Sequence, residues 1–589
     1  MKNQSVWVAD FECTTETDYN IDGFVRCYLW HARRLNSDET AMGFDVDSFV
    51  EFAHNADTVW FHNMKYDASF VNYRLLEKGW TYSPSPVKGE AHINVIQAGD
   101  RWIQYTIMYP DGHMTNLNDS MTKYPFSLEA VAETLGIEGK SDDDFTKRRE
   151  PSYRADAIDI ARVEGDTRIL KTAMEIMYSE DMTHMTSASD AWAEYKKTVS
   201  KDDWKDWYPM NLPETFEFSD GYVMNVRDSY RGGWVHVNPR YKGKTLFNVD
   251  VYDMNSMYPS MMYIKELPYG KPVMRAEPKP DELYIVSFSA SFRVKKGMFP
   301  TYQRRNSVLS VQADYVMESQ GIEQLTMTCI DYELFKKHYD IDYEGGHHYL
   351  CFKKRKDMFK KYIDHWSARK INAKNGGEKQ IAKRMLNSLY GKFGQDPVRD
   401  LTYPVFTDNG VEWITEHGAS VSKYNDKYLP MACFITAYAR QEIMTRADLF
   451  GDDFVYADTD SIHCIRMSDK PRADDLGLIP IHPKEFNHWK LESSSPHGKY
   501  IRAKTYYHAD EDYNPIWEGD EVQIKCAGMP ANVKGVCSWD DFHVGAEFTG
   551  KLVSKSVRGG TCLISGTFRI KNISCEEDSW YDDGIETGW

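Results

Sequence analysis

Carboxylates at three places in this chain keep the company that phosphoryl chemistry needs. In Phe454-Val-Tyr-Ala-Asp-Thr-Asp-Ser461 an apolar run leads into Asp458 and Asp460, and Ile462 then resumes an apolar strand. The pattern predicts a tight hairpin with both acids at its tip. In Val251-Tyr-Asp-Met-Asn-Ser-Met-Tyr-Pro259 a strand is expected to end at Asp253, with Pro259 fixing the turn after Tyr258. Near the N-terminus, Val6-Trp-Val-Ala-Asp-Phe-Glu12 alternates so that Asp10 and Glu12 share one strand face, and Phe61-His-Asn-Met-Lys-Tyr-Asp67 supplies a further acid. Carboxylates converging on two divalent cations can stabilise both the attacking and the leaving oxygen at phosphorus. Taken singly, such acids are more often solvated turns or strand ends. A fourth segment, Ala382-Lys-Arg-Met-Leu-Asn-Ser-Leu-Tyr-Gly391, adds cations: Lys379, Lys383, Asn387 and Tyr390 recur at helical spacing on one face. That stripe suits a nucleoside triphosphate, with ammonium groups for phosphates and a ring for the base. A plain amphipathic helix would have filled its buried stripe with Leu or Val.

The elements that must hold these groups belong to a large chain. It has 589 residues, 71 basic and 89 acidic, a net charge of −18, and is 42% hydrophobic and 14% aromatic. That length predicts several domains, and that balance excludes wholesale disorder. No stretch reaches the length of an apolar membrane span, residues 428–439 being too short, and residues 1–10 lack a secretory h-region. The 10 cysteines are scattered without metal-finger spacing, as expected of free thiols in a reducing cytoplasm. Short strands and helices to about residue 190 predict an α/β unit. Residues 191–263 and 430–530 mix strands and turns around a basic stretch, 353–384, expected to be helical. That stretch holds twelve Lys/Arg against three Asp/Glu, an electrostatic footprint for phosphate within an acidic protein. An isolated basic run is more often a solvated helix face.

Together, Asp253-x-x-Ser-Met-Tyr-Pro259, Lys383-x-x-x-Asn-Ser-Leu-Tyr-Gly391 and Tyr456-x-Asp-Thr-Asp-Ser461 resemble, in order and spacing, the motifs of family B DNA polymerases. Tyr230-Arg-Gly-Gly233, Lys504-Thr-Tyr506 and Lys525-Cys-Ala-Gly-Met529 make the chain most similar to the protein-primed phage branch, the phi-twenty-nine type, over essentially all of it to about Lys571. The resemblance implies an RNase H-like 3′–5′ exonuclease domain followed by a right-hand palm, fingers and thumb, an α/β multidomain fold with two insertions. It implies that Asp253 and Asp460 ligate the polymerase metals, with the Met254 backbone carbonyl joining them and Asp458 in support. Tyr258 would block a ribose 2′-hydroxyl. Lys370, Lys379 and Lys383 would contact triphosphate, and Asn387 and Tyr390 would line the nascent base pair. One extra residue between Lys370 and Lys379 departs from the family spacing. Lys504 and Tyr506 would hold the primer, and Tyr230, Arg231, Gly232 and Gly233 the template, the glycines admitting backbone close to phosphate.

For the exonuclease the resemblance implies Asp10, Glu12 and Asp67 as catalytic metal ligands. Thr14, His62, Asn63, Tyr66, Phe70, Ser120 and Met121 would meet the single strand, and Lys140 the scissile phosphate. The fourth carboxylate departs from the family's Tyr-x-x-x-Asp. Tyr178 precedes Asp181 by only three residues, so we place it at Asp166, near the start of a helix leading without gaps into Met185-Thr-Ser-Ala-Ser-Asp190. The tyrosine position is then Arg162. A phenol can orient an attacking water, whereas a guanidinium cannot accept a proton but can neutralise phosphate charge.

The implied domains are exonuclease 1–190, palm 191–263 and 430–530, terminal-protein insertion 264–357, fingers 358–394, a second insertion 395–429, thumb 531–572 and an acidic tail 573–589. The implied partners are template and primer DNA, deoxynucleoside triphosphates, and a separate terminal protein supplying the priming hydroxyl. Two Mg²⁺ per active site, replaceable by Mn²⁺, would serve a monomer in the cytoplasm of an infected bacterium, proofreading and displacing strands as it copies. The alternatives are a strand-displacing polymerase using nucleic-acid primers, a silent replication scaffold binding DNA or primer protein, and a nuclease with a DNA clamp. A scaffold or a bare nuclease has no need of Asp253, Asp458, Asp460, Lys383 and Tyr390 together.

Overall fold

The computed structural model describes residues 4–14, 24–140, 149–150, 152–304, 315–408, 410–421, 427–466, 472–518 and 521–571. The acidic tail at 573–589 lies outside the described residues. The N-terminal part is built on an eight-stranded mixed sheet. Its order is Thr40–Gly43, Cys27–Arg34, Val6–Cys13, Thr58–Phe61, Met114–Asp119, Arg101–Met108, His92–Ala98, Thr81–Tyr82. Val6–Cys13 is central, antiparallel to Cys27–Arg34 and parallel to Thr58–Phe61. Across it lies the 23-residue helix Ala157–Ser179, started by a capping box between Asp156 and Asp159. Asp166 sits well inside this helix rather than near its start, and the helix stops at Ser179 instead of running into the 185–190 segment, which caps a separate helix, Ser187–Thr198.

A seven-stranded antiparallel sheet forms the second centre. Its order is Val235–Val237, Phe454–Asp458, Ser461–Ile465, Thr245–Met254, Trp489–Arg502, Thr505–Ala509, Ile524–Cys526. Behind it runs the helix Leu429–Phe450, whose first twelve residues are all buried. This accounts for the long apolar run at 428–439: the helix is hydrophobic all round because protein surrounds it. Pro259 does not close a turn. It lies in the first turn of the helix Met257–Ile264, where its missing N–H costs nothing, and the turn itself is made by Asn255 and Ser256, the latter at φ 47°. The basic stretch 353–384 is not one helix either. It begins in the strand His348–Arg355, continues in Lys360–Ile371, and restarts at Gly376–Phe393, where the Asn375 side chain accepts from the Glu378 amide.

A separate five-stranded sheet fills most of 264–357. Two long hairpins, Val398–Thr407 with Gly410–Val421 and Glu547–Val557 with Gly560–Arg569, project from the body. The first rests on the edge of the N-terminal sheet, and the second on the helix Lys65–Glu77 and the segment leading into Cys27–Arg34. Tyr403 stacks on Tyr82 with centroids 4.8 Å apart, and Trp413 meets Trp102 at 5.1 Å. The Val25 amide donates to the Arg558 carbonyl at 2.8 Å. A Cβ on Gly560 would stand 2.6 Å from the Phe70 ring, so only glycine lets the hairpin backbone lie this close to that side chain.

Candidate active sites

Asp253, Asp458 and Asp460 are brought together by strand pairing. Asp253 lies opposite Ser461, and Asp458 opposite Val235 on the other neighbour. The Met254 amide donates to the Asp460 carbonyl at 2.8 Å, tying the end of one strand to the tip of the hairpin. Thr459 turns that tip at φ 63°, a conformation a β-branched residue adopts only when its surroundings enforce it. Here its amide donates to the Trp234 carbonyl at 2.8 Å, and Gly233 packs so close that a Cβ there would stand 2.7 Å from the Thr459 side chain.

Burial and the charges of Asp253 and Asp458 push the Asp460 carboxyl up to about 7. Burial also raises Asp253, opposed by the Lys490 ammonium 3.3 Å from its Oδ1. Lys504, in a left-handed turn at φ 57°, pairs with Asp458 through its ammonium. The Tyr456 hydroxyl donates to Asp458 at 3.0 Å and accepts the Lys504 amide at 3.0 Å. Lys490 is absent from the expectations above. Its trace in the sequence is only the alternation of Trp489-Lys-Leu-Glu492, which places it opposite Asp253.

Lys379, Lys383 and Asn387 occupy the open face of the helix Gly376–Phe393, while Ile381, Ala382, Met385, Leu386, Leu389 and Phe393 bury the other. The helix is thus an ordinary amphipathic one, and its polar stripe replaces no apolar stripe. Tyr390 at the stripe's end stacks on Tyr258. The Lys370 ammonium donates to the Ser256 hydroxyl at 3.1 Å, and burial together with Lys383 and Lys379 makes its charge harder to keep. Three mutually repelling ammonium groups therefore face a set of mutually repelling carboxylates.

The loop 230–233 is held from behind by a residue the sequence did not flag. Arg440, buried in the long helix, donates to the Arg231 and Gly232 carbonyls at 2.6 and 2.7 Å and forks onto Asp331 at 2.9 and 2.7 Å. Arg231 itself donates to the Gln303 and Thr326 carbonyls, with its guanidinium over the Tyr302 ring, so it is turned toward the 264–357 region. Tyr230 packs against Gly394. Tyr506 joins Tyr456, His463 and Tyr500 in an aromatic cluster beside Asp458.

In the N-terminal sheet, Asp10 and Glu12 point to one face, toward the helix Ala157–Ser179. Asp67 accepts the Phe11 amide at 3.1 Å. Asp10 is raised well above the ordinary carboxylate range by burial and by the Asp67, Asp166 and Glu12 charges, and burial raises Asp67 likewise. Asp166 joins this cluster: its Oδ2 accepts from Lys140 at 2.6 Å, and its buried Oδ1 has no hydrogen-bond partner. Asp181 does not join it, lying exposed at the surface on Lys197, and the Tyr178 hydroxyl is spent on the Trp60 indole. Arg162 forks onto Glu12, with Nε 2.6 Å from Oε1 and an Nη on Oε2.

The residues expected to meet a single strand divide into two groups. Asn63 is exposed, while Tyr66, Met121 and Lys140 are half-buried. Thr14, Phe70 and Ser120 are fully buried. Thr14 accepts the Arg26 amide, Phe70 lies under Gly560, and Ser120 pairs with His62 at 2.8 Å. His62 also reaches the Phe126 carbonyl, and burial lowers it to about 4, leaving it neutral. Asp119, overlooked in the sequence, gathers the amides of Asn63, Met64 and Met121 and so shapes this edge.

Both clusters fit divalent cations by donor chemistry: hard carboxylate oxygens, half-buried or buried, mutually repelling, one of them orphaned. Among the described residues no three acidic, histidine or cysteine side chains already converge as a ligand set. Arg162, Lys140, Lys490 and Lys504 hold the carboxylates instead.

A family model described as DNA polymerase type B, organellar and viral, matches residues 159–475. The chain is 30% identical to the DNA polymerase of Bacillus phage phi29, the match covering 96% of this chain and 99% of that one. It is 31% identical to the DNA polymerase of Streptococcus phage Cp-1 over 90% of each. Among solved structures it superposes on phi29 DNA polymerase complexed with primer-template DNA and incoming nucleotide substrates, with a TM-score of 0.84 at 29% identity over 97% of this chain and 100% of that one. The same polymerase complexed with single-stranded DNA gives a TM-score of 0.83.

Proposed function

Because the chain belongs to the type B DNA polymerases of organelles and viruses, and within them to the phi29-type phage enzymes, we propose that it is a replicative polymerase that starts on a protein, proofreads, and displaces strands. It is a DNA-directed DNA polymerase with the α/β fold of that family: an RNase H-like exonuclease domain followed by a right-hand polymerase domain. Family membership implies dependence on divalent metal. The proposal names Mg²⁺, two ions per active site, with Mn²⁺ able to substitute.

The observation that carries the synthetic reading is the facing of two charge clusters. Asp253 and Asp460 end adjacent strands and repel one another, while Lys370, Lys379 and Lys383 line the helices opposite. A deoxynucleoside triphosphate bridges the two, phosphates on the ammonium groups and base toward Asn387 and Tyr390. Tyr258 closes the sugar's 2′ side. Lys504 and Tyr506 hold the primer so that its 3′-hydroxyl attacks the α-phosphate and pyrophosphate leaves. Two divalent cations, when bound by Asp253, Asp460 and the Met254 carbonyl, stabilise charge on the attacking and leaving oxygens. Asp458, held by Tyr456 and Lys504, keeps the hairpin tip in place.

For proofreading, Asp10, Glu12, Asp67 and Asp166 form the second cation site, with Lys140 neutralising the scissile phosphate and Asn63, Tyr66 and Met121 gripping the frayed strand. Thr14, His62, Phe70 and Ser120 act from beneath as supports. Residues 264–357 are assigned to the terminal protein, and the second insertion at 395–429 with the thumb at 531–572 to encircling the duplex. A basic terminal protein would suit an acidic body, and such a complex should weaken strongly with salt.

Extension of a primed single-stranded circle with Mg²⁺ and four deoxynucleotides, without helicase or binding protein, tests the reading. Products many times the circle's length are expected. Primer degradation without extension would leave a nuclease with a clamp, and no change at all a scaffold.

A further inference from the structure

We propose that Arg162 is an exchangeable counter-ion that keeps the exonuclease cation site closed until a strand end arrives. The inference rests on the exonuclease reading of the N-terminal cluster. Glu12 and Arg162 come from a strand and a helix 150 residues apart, and their side chains are only 12% and 7% exposed. Both oxygens of Glu12 are engaged in the fork, Nε on Oε1 and Nη2 on Oε2. Each oxygen keeps a second lone pair, so a cation ligating Glu12 would share an oxygen with the guanidinium and meet its positive charge at close range. Asp166, one turn further along the same helix, is half open by contrast: Lys140 holds Oδ2 at 2.6 Å while Oδ1 has no hydrogen-bond partner.

Arg162 cannot be silenced by losing a proton, so it can only change partners. A phosphodiester offers the same fork of two oxygens as a carboxylate. When the last phosphodiester of a single strand enters beside Lys140, Arg162 passes from Glu12 to the phosphate, and Glu12 becomes free to ligate. Strand and cation then bind cooperatively, each raising the other's affinity by the same factor. Without a strand the site holds cations weakly, and the nuclease stays idle while the primer end is paired elsewhere.

Mn²⁺ binding to the full chain, read as loss of the free-ion electron paramagnetic resonance signal, tests this in an Asp460→Asn background that weakens the polymerase site. The probe is an oligodeoxynucleotide ending in a cleavage-resistant phosphorothioate linkage. With Arg162 intact the oligonucleotide should tighten Mn²⁺ binding about tenfold or more. Arg162→Gln should bind Mn²⁺ about that tightly without the oligonucleotide and gain little from it. Arg162→Lys keeps a charge beneath Glu12, guards against a folding defect, and loses the fork, so its Mn²⁺ affinity should fall between the two. Unchanged affinity in both variants, or an undiminished oligonucleotide effect, overturns the exchange. Glu12→Gln separates the two levels of the inference. If it weakens Mn²⁺ binding while the Arg162 variants change nothing, only the exchange fails. If it too has no effect, Glu12 is no ligand and the exonuclease reading falls as well.

Discussion

Tyr258 and Tyr390 lie face to face, ring centroids 3.9 Å apart and planes 19° from parallel, although one opens the helix after Asp253 and the other closes the basic helix. The stack couples the sugar side of the proposed nucleotide pocket to its base side. Tyr258→Val should admit ribonucleotides, lowering sugar discrimination about tenfold or more, equivalent to about 1.4 kcal/mol. Steady-state incorporation of each ribonucleotide against its deoxy counterpart measures it, and unchanged selectivity would show that Tyr258 is not the gate.

The two carboxylate clusters should fail independently. Asp460→Asn should abolish synthesis and leave single-strand degradation, because the Asp10 cluster lies in a different sheet. Asp10→Ala with Glu12→Ala should do the reverse. Gel assays of one labelled primer report both activities, and joint loss in either variant would break the two-site reading.

Asp460 gives the protein a pH signature. Its carboxyl stands at about 7 in the folded chain, against about 3.9 for an unfolded aspartate. The folded state thus binds this proton more tightly, a contribution present at low pH and lost as pH rises through about 7. A cation needs the deprotonated form and relieves the repulsion that remains. The rise in Tm on adding Mg²⁺ should therefore be larger at about pH 8 than at about pH 6, and Asp460→Asn should flatten that difference. A pH-independent Mg²⁺ effect would contradict it.

Arg440 offers a test of how the 230–233 loop is held. Its side chain and that of Asp331 are 4% and 15% exposed, so Arg440→Met strands a carboxylate and two carbonyls, at a cost of about 3–5 kcal/mol. The urea midpoint of the polymerase body should fall, and the apparent KM for primed template should rise. Arg440→Met with Asp331→Leu should recover stability without recovering template affinity. Recovery of both would assign Arg440 to stability alone.

What the sequence disclosed and what it hid follow from distance along the chain. Asp458, Asp460 and Asp253 were legible because strand ends and a two-residue hairpin tip are local features with local signatures. The paired placement of Asp10 and Glu12 followed from alternation alone. Lys490, Arg440 and Asp119 were not legible: each ties in groups tens to hundreds of residues away, Asp119 beside a local contact to Met121, and such distant pairing leaves no periodicity. The break at 372–375 was missed because a count of charges carries no geometry, and the burial of Phe70 was hidden because nothing near it in sequence announces Gly560. The stripe from Lys379 to Tyr390 was read in the right register but for a partly wrong reason, since the apolar face it was thought to lack lies on the far side of the same helix.

The docking of both hairpins on the N-terminal unit has a practical consequence for anyone reshaping this enzyme. The N-terminal unit serves as an abutment for the two arms: Tyr82 and Trp102 in its sheet carry one, and Val25 and Phe70 beside the sheet carry the other. Excising residues 1–190 to obtain a copying enzyme without the proposed nuclease would remove the footing of the arms together with that site. Silencing single carboxylates leaves that masonry standing.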